Sequence, residues 1–376
     1  MRIAILGAGP AGLYLAYLLR RAGIGSDIQV FEQNPPDATF GFGVVFSDRA
    51  LEFLQDDDPE TFAAITPAFE AWQDITLHHK GQTIRIDGIG FTAVGRLHLL
   101  RMLQDRLRSV GIVPTYNHVI GDVSELDGFD LVVGADGVNS LVRRAFEHDF
   151  GTTQSFLSNR FNWFGTTKPF ATLSQTFVAH RLGTFNVHHY RYAPAMSTFL
   201  VEVDEKTFFN AGFDRMPEDE VRATCEEVYA DILDGHTLVS NKSHWRQFPK
   251  IWNEHWSHGK YVLLGDALRT AHFSIGSGSR LAMEDAIALL DALRAHPNAL
   301  PEALAAYEAE RRPVVEKLVR AANTSADWYE SFPEHMKLDP WDFALSYITR
   351  SGRIDRERLR RQSPRFVADY EAAKGS

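Results

Sequence analysis

The chain has very little cysteine, and that scarcity excludes whole classes of structure. Its 376 residues include one cysteine, Cys225, so no intramolecular disulfide can form and no cysteine cluster can hold a metal. A chain without disulfides is typical of a reducing compartment. We therefore expect a cytoplasmic protein stabilised by a large hydrophobic core, since 44% of its residues are apolar.

Long apolar runs and excess basic charge are also absent. No stretch approaches the roughly 18 apolar residues that a membrane-spanning helix needs, and the N-terminus has no signal-like segment. The formal net charge of −10 argues against a general nucleic-acid surface, although one local basic pocket would still bind an anion. We expect no membrane and no nucleic-acid partner, and the oligomeric state is not legible.

Metal-ligand patterns are missing as well. The 15 histidines include the pairs His78-His79 and His188-His189, yet no spacing resembles HExxH or a three-ligand site. Ordinary strand or surface histidines explain these pairs, so we expect no metal.

The N-terminal segment has the pattern of a dinucleotide-binding unit. An apolar run at residues 2–6 is followed by Gly7-Ala-Gly9-Pro-Ala-Gly12 and then by helical spacing. Gly7 suits a tight turn, Gly9 lets the backbone approach a diphosphate, and Gly12 lets helix and strand pack closely. A second apolar run ends at Glu32, 20 residues past Gly12, where a carboxylate accepts hydrogen bonds from an adenosine ribose. The predicted nucleotide contacts here are Gly7, Gly9, Ala11, Gly12 and Glu32.

Two distant segments distinguish a nucleotide site from a merely close-packed βαβ unit. Residues 131–143 form a buried-looking strand that runs into a polar turn containing Asp136. Residues 261–267 form another, which ends in Gly-Asp266-Ala. Further along, Ile-Gly-Ser-Gly at residues 275–278 precedes a helical segment.

These motifs, GxGxxG, GADG..S.VR and GD, stand in the order found in the class A FAD-dependent aromatic hydroxylases, the para-hydroxybenzoate hydroxylase-like family, which the chain resembles over at least residues 1–320. Where the wider family continues GD with Ala-Ala-His, this chain has Ala-Leu-Arg269, which affects only the local geometry. The chain further resembles the subgroup of salicylyl-CoA 5-hydroxylase, anthraniloyl-CoA monooxygenase and the violacein-pathway tryptophan hydroxylase. The segments that carry this narrower resemblance are residues 39–48, 162–166, 196–202, 245–248 and 271–278.

The distribution of motifs predicts an α/β protein: a Rossmann-like FAD-binding domain interleaved with a mixed-sheet substrate domain and followed by a helical C-terminal region. The middle of the chain is rich in strand-like aromatic segments, as a sheet beside a substrate requires. The expected boundaries are 1–155 and 255–325 for the FAD-binding domain, with 70–95 open between the two domains, 156–254 for the substrate domain, and 326–376 for a helical appendage.

The resemblance implies where the rest of the cofactor lies. It implies that Asp266 faces the ribityl hydroxyls of FAD and that the amides around Gly276 and Gly278 face the middle of the cofactor. Arg96 begins an amphipathic helical segment, and the family's arginine at this place approaches the diphosphate. A solvated arginine at a helix start is the alternative. The predicted FAD contacts are Gly7, Gly9, Ala11, Gly12, Glu32, Arg96, Asp136, Asp266, Gly276 and Gly278.

The resemblance also implies the chemistry. NADH or NADPH docks transiently and reduces FAD, the reduced flavin captures O2 as a C4a-hydroperoxide, and the distal oxygen passes to an electron-rich aromatic ring. We expect an NAD(P)H- and O2-consuming monooxygenase that acts on an aryl-CoA thioester of the salicylyl- or anthraniloyl-CoA type. Two alternatives stay open: a hydroxylase of a free aromatic acid or amino acid such as tryptophan or an indole, and a non-oxygenating flavin oxidoreductase.

The substrate wall is predicted at His272 and Phe273, where the wider family has a proline pair. Phe273 would stack on the ring, and His272 would orient a substituent or shuttle a proton. A hydrogen-bonded structural histidine is the alternative for His272. Weaker candidates are Phe42 and Phe46 in the glycine-flanked loop after Glu32, and His188 and Tyr190, which share one face of a strand and point either into the pocket or to water.

Overall fold

The computed structural model describes residues 1–47 and 52–375. The end of the predicted 39–48 motif, at Asp48, lies outside this range. The strands are β1 (Arg2–Leu6), β2 (Asp27–Phe31), β3 (Gly43–Ser47), β4 (Glu70–Trp72), β5 (Ile75–His79), β6 (Gln82–Ile86), β7 (Phe91–Gly95), β8 (Leu131–Gly134), β9 (Thr152–Thr166), β10 (Leu173–His180), β11 (Gly183–Ala193), β12 (Met196–Val203), β13 (Leu238–Val239), β14 (Arg246–Asn253), β15 (Ser257–His258) and β16 (Tyr261–Leu263). The helices are α1 (Pro10–Arg21), α2 (Glu52–Asp57), α3 (Pro59–Ile65), α4 (Arg96–Ser109), α5 (Leu141–Ala145), α6 (Glu147–Phe150), α7 (Glu205–Asn210), α8 (Glu218–Val228), α9 (Ala230–Leu233), α10 (Gly278–Ala295), α11 (Leu300–Glu330), α12 (Phe332–His335), α13 (Pro340–Thr349), α14 (Arg356–Gln362) and α15 (Pro364–Gly375).

A five-stranded sheet brings together the three predicted cofactor segments. Its strand order is β15-β16-β8-β1-β2, and β2, β1, β8 and β16 run parallel. β1, β8 and β16 are almost wholly buried and share one apolar core with α1 and α10, as parallel strands covered by helices require, whereas β2 at the edge is half-buried. Because parallel strands end at one edge of their sheet, the turns after β1, β8 and β16 lie side by side.

An eight-stranded mixed sheet forms the second layer. Its order is β13-β9-β12-β11-β10-β5-β6, and β14 pairs with the outer part of β9. One face carries alternating apolar side chains such as Val187 and Val201, which α7, α8 and α9 cover. The opposite face carries His188, Tyr190 and Glu202 and turns toward the first domain and α11.

The C-terminal helices pack on this sheet rather than standing apart from it. Trp328, Phe343 and Tyr347 enclose Phe177 of β10, and Ile84 of β6 belongs to the same buried cluster. Within the described residues, no helix is both long and apolar enough to span a bilayer. The predicted α/β class with a Rossmann-like part, a mixed sheet and a helical C-terminus is confirmed. The domain boundaries stay a prediction, and β5 and β6, within the open 70–95 segment, belong to the eight-stranded sheet.

Candidate active site

The glycine turn after β1 has the geometry that the sequence predicted. Gly7 has φ +97°, and a Cβ there would lie 2.4 Å from the carbonyl oxygen of Ala135. A Cβ on Gly12 would lie 2.0 Å from the carbonyl oxygen of Gly7. Larger residues at either place would push the first turn away from α1 or from the segment that carries Asp136.

Gly9 differs from its two neighbours because it borders open space. A Cβ placed on it would meet nothing within 4 Å. Gly9 is also the N-cap of α1, which has no side-chain cap and no acidic residue in its first turn, so the free amides and the helix dipole face this space. The space is a cleft whose lining includes Gly9, Glu32, Asn34, Arg96, Gln104 and Tyr116.

Glu32 holds the two sides of this cleft together. Its Oε2 accepts a hydrogen bond from the Ala8 amide at 2.8 Å, and its Oε1 accepts from the Asn34 amide at 2.9 Å and from Asn34 Nδ2 at 2.8 Å. A carboxylate oxygen has two lone pairs, so Oε2, which accepts one hydrogen bond, retains capacity for a ribose hydroxyl. The sequence reading missed Asn34, whose only signal was its position two residues past the acid.

Asp136 lies behind the glycine turn. Its Oδ2 accepts a hydrogen bond from the Leu141 amide at 2.7 Å, whereas its buried Oδ1 has no partner among the described residues. Burial raises the pKa of the carboxyl, against the hydrogen bond from Ser140. The nearby Arg143 guanidinium donates to the Ala267 carbonyl at 2.9 Å, which ties this segment to the turn containing Asp266.

Asp266 is the exposed residue of an otherwise buried turn. The other two residues of its 3-10 turn, Gly265 and Ala267, are buried, yet the Asp266 side chain is accessible. The surrounding protein raises the pKa of this carboxyl by burial, while the charges of Arg269 and Arg96 lower it. Arg96 lines the cleft at Gly9 and interacts electrostatically with Asp266, so it lies between the glycine turn and the Asp266 turn.

The segment before α10 completes the site. Gly276 has φ +60°, which favours glycine, and a Cβ on Gly278 would meet nothing within 4 Å. The N-cap residue Ser277 makes no side-chain hydrogen bond to the first turn of α10, so no side chain of the N-cap caps the first amides of this helix. Ala11, predicted as a contact, is buried in α1, and a Cβ placed on Gly265 would lie 3.4 Å from its methyl group. The turns of three distant segments therefore meet.

A buried ion network under the Asp266 turn was not foreseen. Arg269 Nη2 lies 2.7 Å from Asp285 Oδ2, and Arg311 Nε lies 3.1 Å from Asp285 Oδ1. Arg269 Nη1 also donates to the Gly265 carbonyl at 2.7 Å, and the Gly265 amide donates to Asp285 at 3.1 Å. The arginine that departs from the wider family therefore fixes the turn that carries Asp266.

His272 and Phe273 lie in an aromatic wall. The centroid of the Phe273 ring lies 5.2 Å from that of Phe161, 5.9 Å from that of Phe248 and 5.3 Å from that of His188. His272 is buried, and its Nδ1 lies 2.8 Å from the hydroxyl of Ser274. Burial lowers the pKa of His272 to about 3, so its ring is neutral at pH 7.

The weaker candidates have distinct positions. Phe46 is buried against Phe69, with 5.7 Å between ring centroids, which is core packing. The Phe42 ring packs against Gly165, where a Cβ would lie 2.6 Å from it. Tyr190 is buried and donates to the Gly43 carbonyl at 2.9 Å, while the buried His188 contacts the aromatic wall.

This set of groups fits FAD. A dinucleotide needs an acid for its adenosine, free amides and an arginine for its diphosphate, and a polar group for its sugar chain. Glu32, the N-terminus of α1 and Arg96 supply the first of these around one cleft, Asp266 supplies the last beside Arg96, and Gly9 leaves the required space. Hydride and oxygen chemistry belongs to such a cofactor, not to the side chains.

Comparison with known proteins shows the class. Residues 124–322 match the family described as an FAD binding domain, and residues 5–37, which include β1, α1 and β2, match an NAD(P)-binding Rossmann-like domain. The chain belongs to the first of these families, that of the FAD-dependent aromatic monooxygenases. The predicted family, its FAD and its NAD(P)H reductant are thereby confirmed.

Three curated relatives are similar over most of their length. A salicyloyl-CoA 5-hydroxylase from Streptomyces sp is 41% identical over 93% of this chain and 70% of its own. A 3-hydroxy-4-methyl-anthranilyl-[aryl-carrier protein] 5-monooxygenase from Streptosporangium sibiricum is 38% identical over 89% and 90%. A protodeoxyviolaceinate monooxygenase from Chromobacterium violaceum is 33% identical over 93% and 94%.

Solved structures share the fold at lower identity. The structure of 2-methyl-3-hydroxypyridine-5-carboxylic acid oxygenase is 18% identical, covers 96% of this chain and 97% of its own, and superposes with a TM-score of 0.72. That of P. aeruginosa PqsL with 2-aminobenzoylacetate is 20% identical, covers 88% and 96%, and has a TM-score of 0.69.

The Asp266 carboxylate provides a direct test of the cofactor site. We expect Asp266→Ala to weaken FAD binding about tenfold or more, because a hydrogen bond to a charged group is lost. FAD absorbance per protein after dialysis measures the loss, and circular dichroism should show an intact fold. Asp369→Ala, at an exposed position of α15, is the matched control. Equal flavin occupancy in the two variants would remove Asp266 from the site.

Proposed function

We propose that the protein hydroxylates an aromatic ring that carries an ortho hydroxyl or amino group and is linked as a thioester to coenzyme A or a carrier protein. The observation that carries the proposal is the similarity, over most of the chain, to two relatives whose names describe such acyl groups. Both relatives are named for position 5, which is para to the ortho group. A hydroxyl or amino group donates electrons to its para carbon, so we infer para hydroxylation here.

The chain's own residues hold and orient the reactants. Glu32 and the amides of α1 would hold the adenosine and diphosphate of FAD, and Asp266 would hold its sugar chain. FAD bound there would supply the hydride and oxygen chemistry, with NAD(P)H as the reductant and O2 as the source of the oxygen atom added to the ring. Phe273 packs on the substrate ring, and the neutral His272 acts as a hydrogen-bonding group, not as a cation. The half-buried phenylalanines of the aromatic wall, together with the buried His188 and His272, shield the reacting carbon from water.

The activity test uses purified, flavin-loaded protein. We expect salicylyl-CoA or anthraniloyl-CoA to stimulate NAD(P)H oxidation and O2 consumption, with a product heavier by one oxygen atom. Benzoyl-CoA, which has no ortho donor, is the matched control and should give less product. Free salicylate and anthranilate show whether the enzyme requires the thioester or accepts the free acid. Product from the free acids but not from the thioesters would contradict the thioester part.

A second candidate is a larger aromatic substrate without a thioester. It is favoured by the 33% identity to the protodeoxyviolaceinate monooxygenase, whose substrate name contains no CoA or carrier protein. Stimulation by indole-containing acids, together with no response to any aryl-CoA, would select it.

A further inference from the structure

Polar side chains interrupt the aromatic surface of the eight-stranded sheet. Glu202 of β12 lies opposite Asn186 of β11, and His188 stands two residues along β11 on the same face. All three residues are buried, with 2% of Glu202, 7% of His188 and none of Asn186 exposed. A carboxylate in such a place is unusual, because an ion without partners is strongly destabilised by removal from water.

Four side-chain atoms of this group are left without hydrogen-bond partners. Glu202 Oε1 accepts a hydrogen bond from Asn159 Nδ2 at 2.9 Å, but within residues 1–47 and 52–375 Glu202 Oε2, His188 Nε2 and both amide atoms of Asn186 have none. Glu202 Oε2 and His188 Nε2 are 3.6 Å apart, beyond hydrogen-bond length. Buried polar atoms in native proteins nearly always have partners, so a cluster of exceptions indicates a ligand group or a water.

The surrounding hydrogen bonds determine which atom donates. The Tyr329 hydroxyl donates to Gln175 Oε1 at 3.3 Å, which orients the amide so that Gln175 Nε2 donates to His188 Nδ1 at 2.7 Å. Neutral histidine then carries its hydrogen on Nε2. Glu202 and His188 therefore present an acceptor, Glu202 Oε2, beside a donor, His188 Nε2–H, and the unpartnered amide of Asn186 lies next to them. A hydroxyl group, which both donates and accepts hydrogen bonds, complements this pair. An amino group can donate to the acceptor, Glu202 Oε2.

The pair borders the aromatic wall. Phe161 of β9 lies opposite Glu202 in the sheet, and its ring contacts Phe273 at 5.2 Å. The His188 ring meets Phe273 edge to face at 5.3 Å. An aromatic ring packed on Phe273 would therefore have its substituents within reach of Glu202 and His188.

We propose that Glu202 and His188 form the recognition site for the hydroxyl or amino substituent of the aromatic substrate. This proposal rests on the proposed function and adds the residues that select the substrate class. Glu202 Oε2 accepts the hydrogen of the substituent, and His188 Nε2–H donates to a hydroxyl oxygen. The two contacts fix the rotation of the ring and favour rings that carry a hydrogen-bond donor.

The test compares ligands in which that hydrogen is present or is replaced by a methyl group. Salicylyl-CoA and 2-methoxybenzoyl-CoA form one pair, and salicylate and 2-methoxybenzoate form a second for a site that takes free acids. Dissociation constants come from the change in flavin absorbance on titration of the holoenzyme. We expect the wild type to prefer the hydroxy member about tenfold or more. Glu202→Gln and His188→Gln should each lose most of this preference while retaining FAD.

The adjacent histidine supplies a matched control. His189 is also buried in β11 but faces the opposite side, where it contacts Phe170 and Thr176. His189→Gln should therefore keep the hydroxy preference. An unchanged preference in Glu202→Gln and His188→Gln would show that the pair holds only a structural water, and no preference or no binding in the wild type would also overturn the proposal. Binding with the expected preference but without hydroxylated product would contradict the proposed function alone.

Discussion

Asp285→Asn is expected to lower the free energy of unfolding by about 3 to 5 kcal/mol, since it leaves the buried guanidinium of Arg269 without its counter-ion, although Arg311 keeps Glu284. The Asp285 carboxylate is fully buried and lies within 3.1 Å of both Arg269 and Arg311. It also accepts the Gly265 amide, so its loss should loosen the turn that carries Asp266. Urea unfolding followed by circular dichroism gives the stability, and FAD content reports the turn.

Asp291 on the same helix provides the control for this change. It is exposed and lies 3.6 Å from Arg294, also exposed, and such a surface pair contributes about 1 kcal/mol or less. Asp291→Asn should therefore change stability little and leave FAD content unchanged. Equal effects of the two substitutions would show that the buried network does not support the turn.

Acid is expected to destabilise the protein through its buried histidines. Burial lowers the pKa of His188 and of His272 to about 3 and that of His189 well below its usual value. The unfolded chain protonates these rings near pH 6.5, whereas the folded protein does not, so stability falls as pH decreases from about 6.5 toward 3. At pH 5 each ring costs about 2 kcal/mol relative to pH 7.

The surrounding charges determine how far this effect extends. Arg350 further disfavours protonation of His188 and His272. Glu202 acts in the opposite sense, because its pKa is raised by burial and its stabilising contribution is greatest at low pH. Unfolding free energies at pH 7, 6 and 5 measure the sum. His189→Gln removes one ring, so the loss between pH 7 and 5 should shrink by about 2 kcal/mol; a loss equal to that of the wild type would contradict this origin.

The local parts of the cofactor site were legible from the sequence. Gly7 and Gly12 have the roles predicted for them, because a tight turn and a close helix-strand contact depend on neighbours within a few residues. The predicted proximity of the segments at Gly9, Asp136 and Asp266 follows from parallel strand order, which the motifs indicated. That these residues bind FAD stays a prediction, although the family and its cofactor are shown.

The sequence predicted less about the polar site on the eight-stranded sheet. Alternation along β11 placed His188 and Tyr190 on one face, but it could not say whether that face met water or protein. Glu202 was not predicted as a site residue, since an acid in a strand usually faces solvent. The available sequence signal was an acid between hydrophobic strand residues, in the run Leu200-Val-Glu202-Val.

Sequence alone determined the family, the cofactor and the glycine turns of this protein, because those features arise from short segments with demanding backbone geometry. Only the tertiary structure decided that Arg269 pairs with Asp285 and that His188 meets Glu202 beside Phe273. These contacts join residues from different strands and helices, and their partners depend on which faces pack together. The burial that makes each charge or imidazole consequential arises only when the layers assemble.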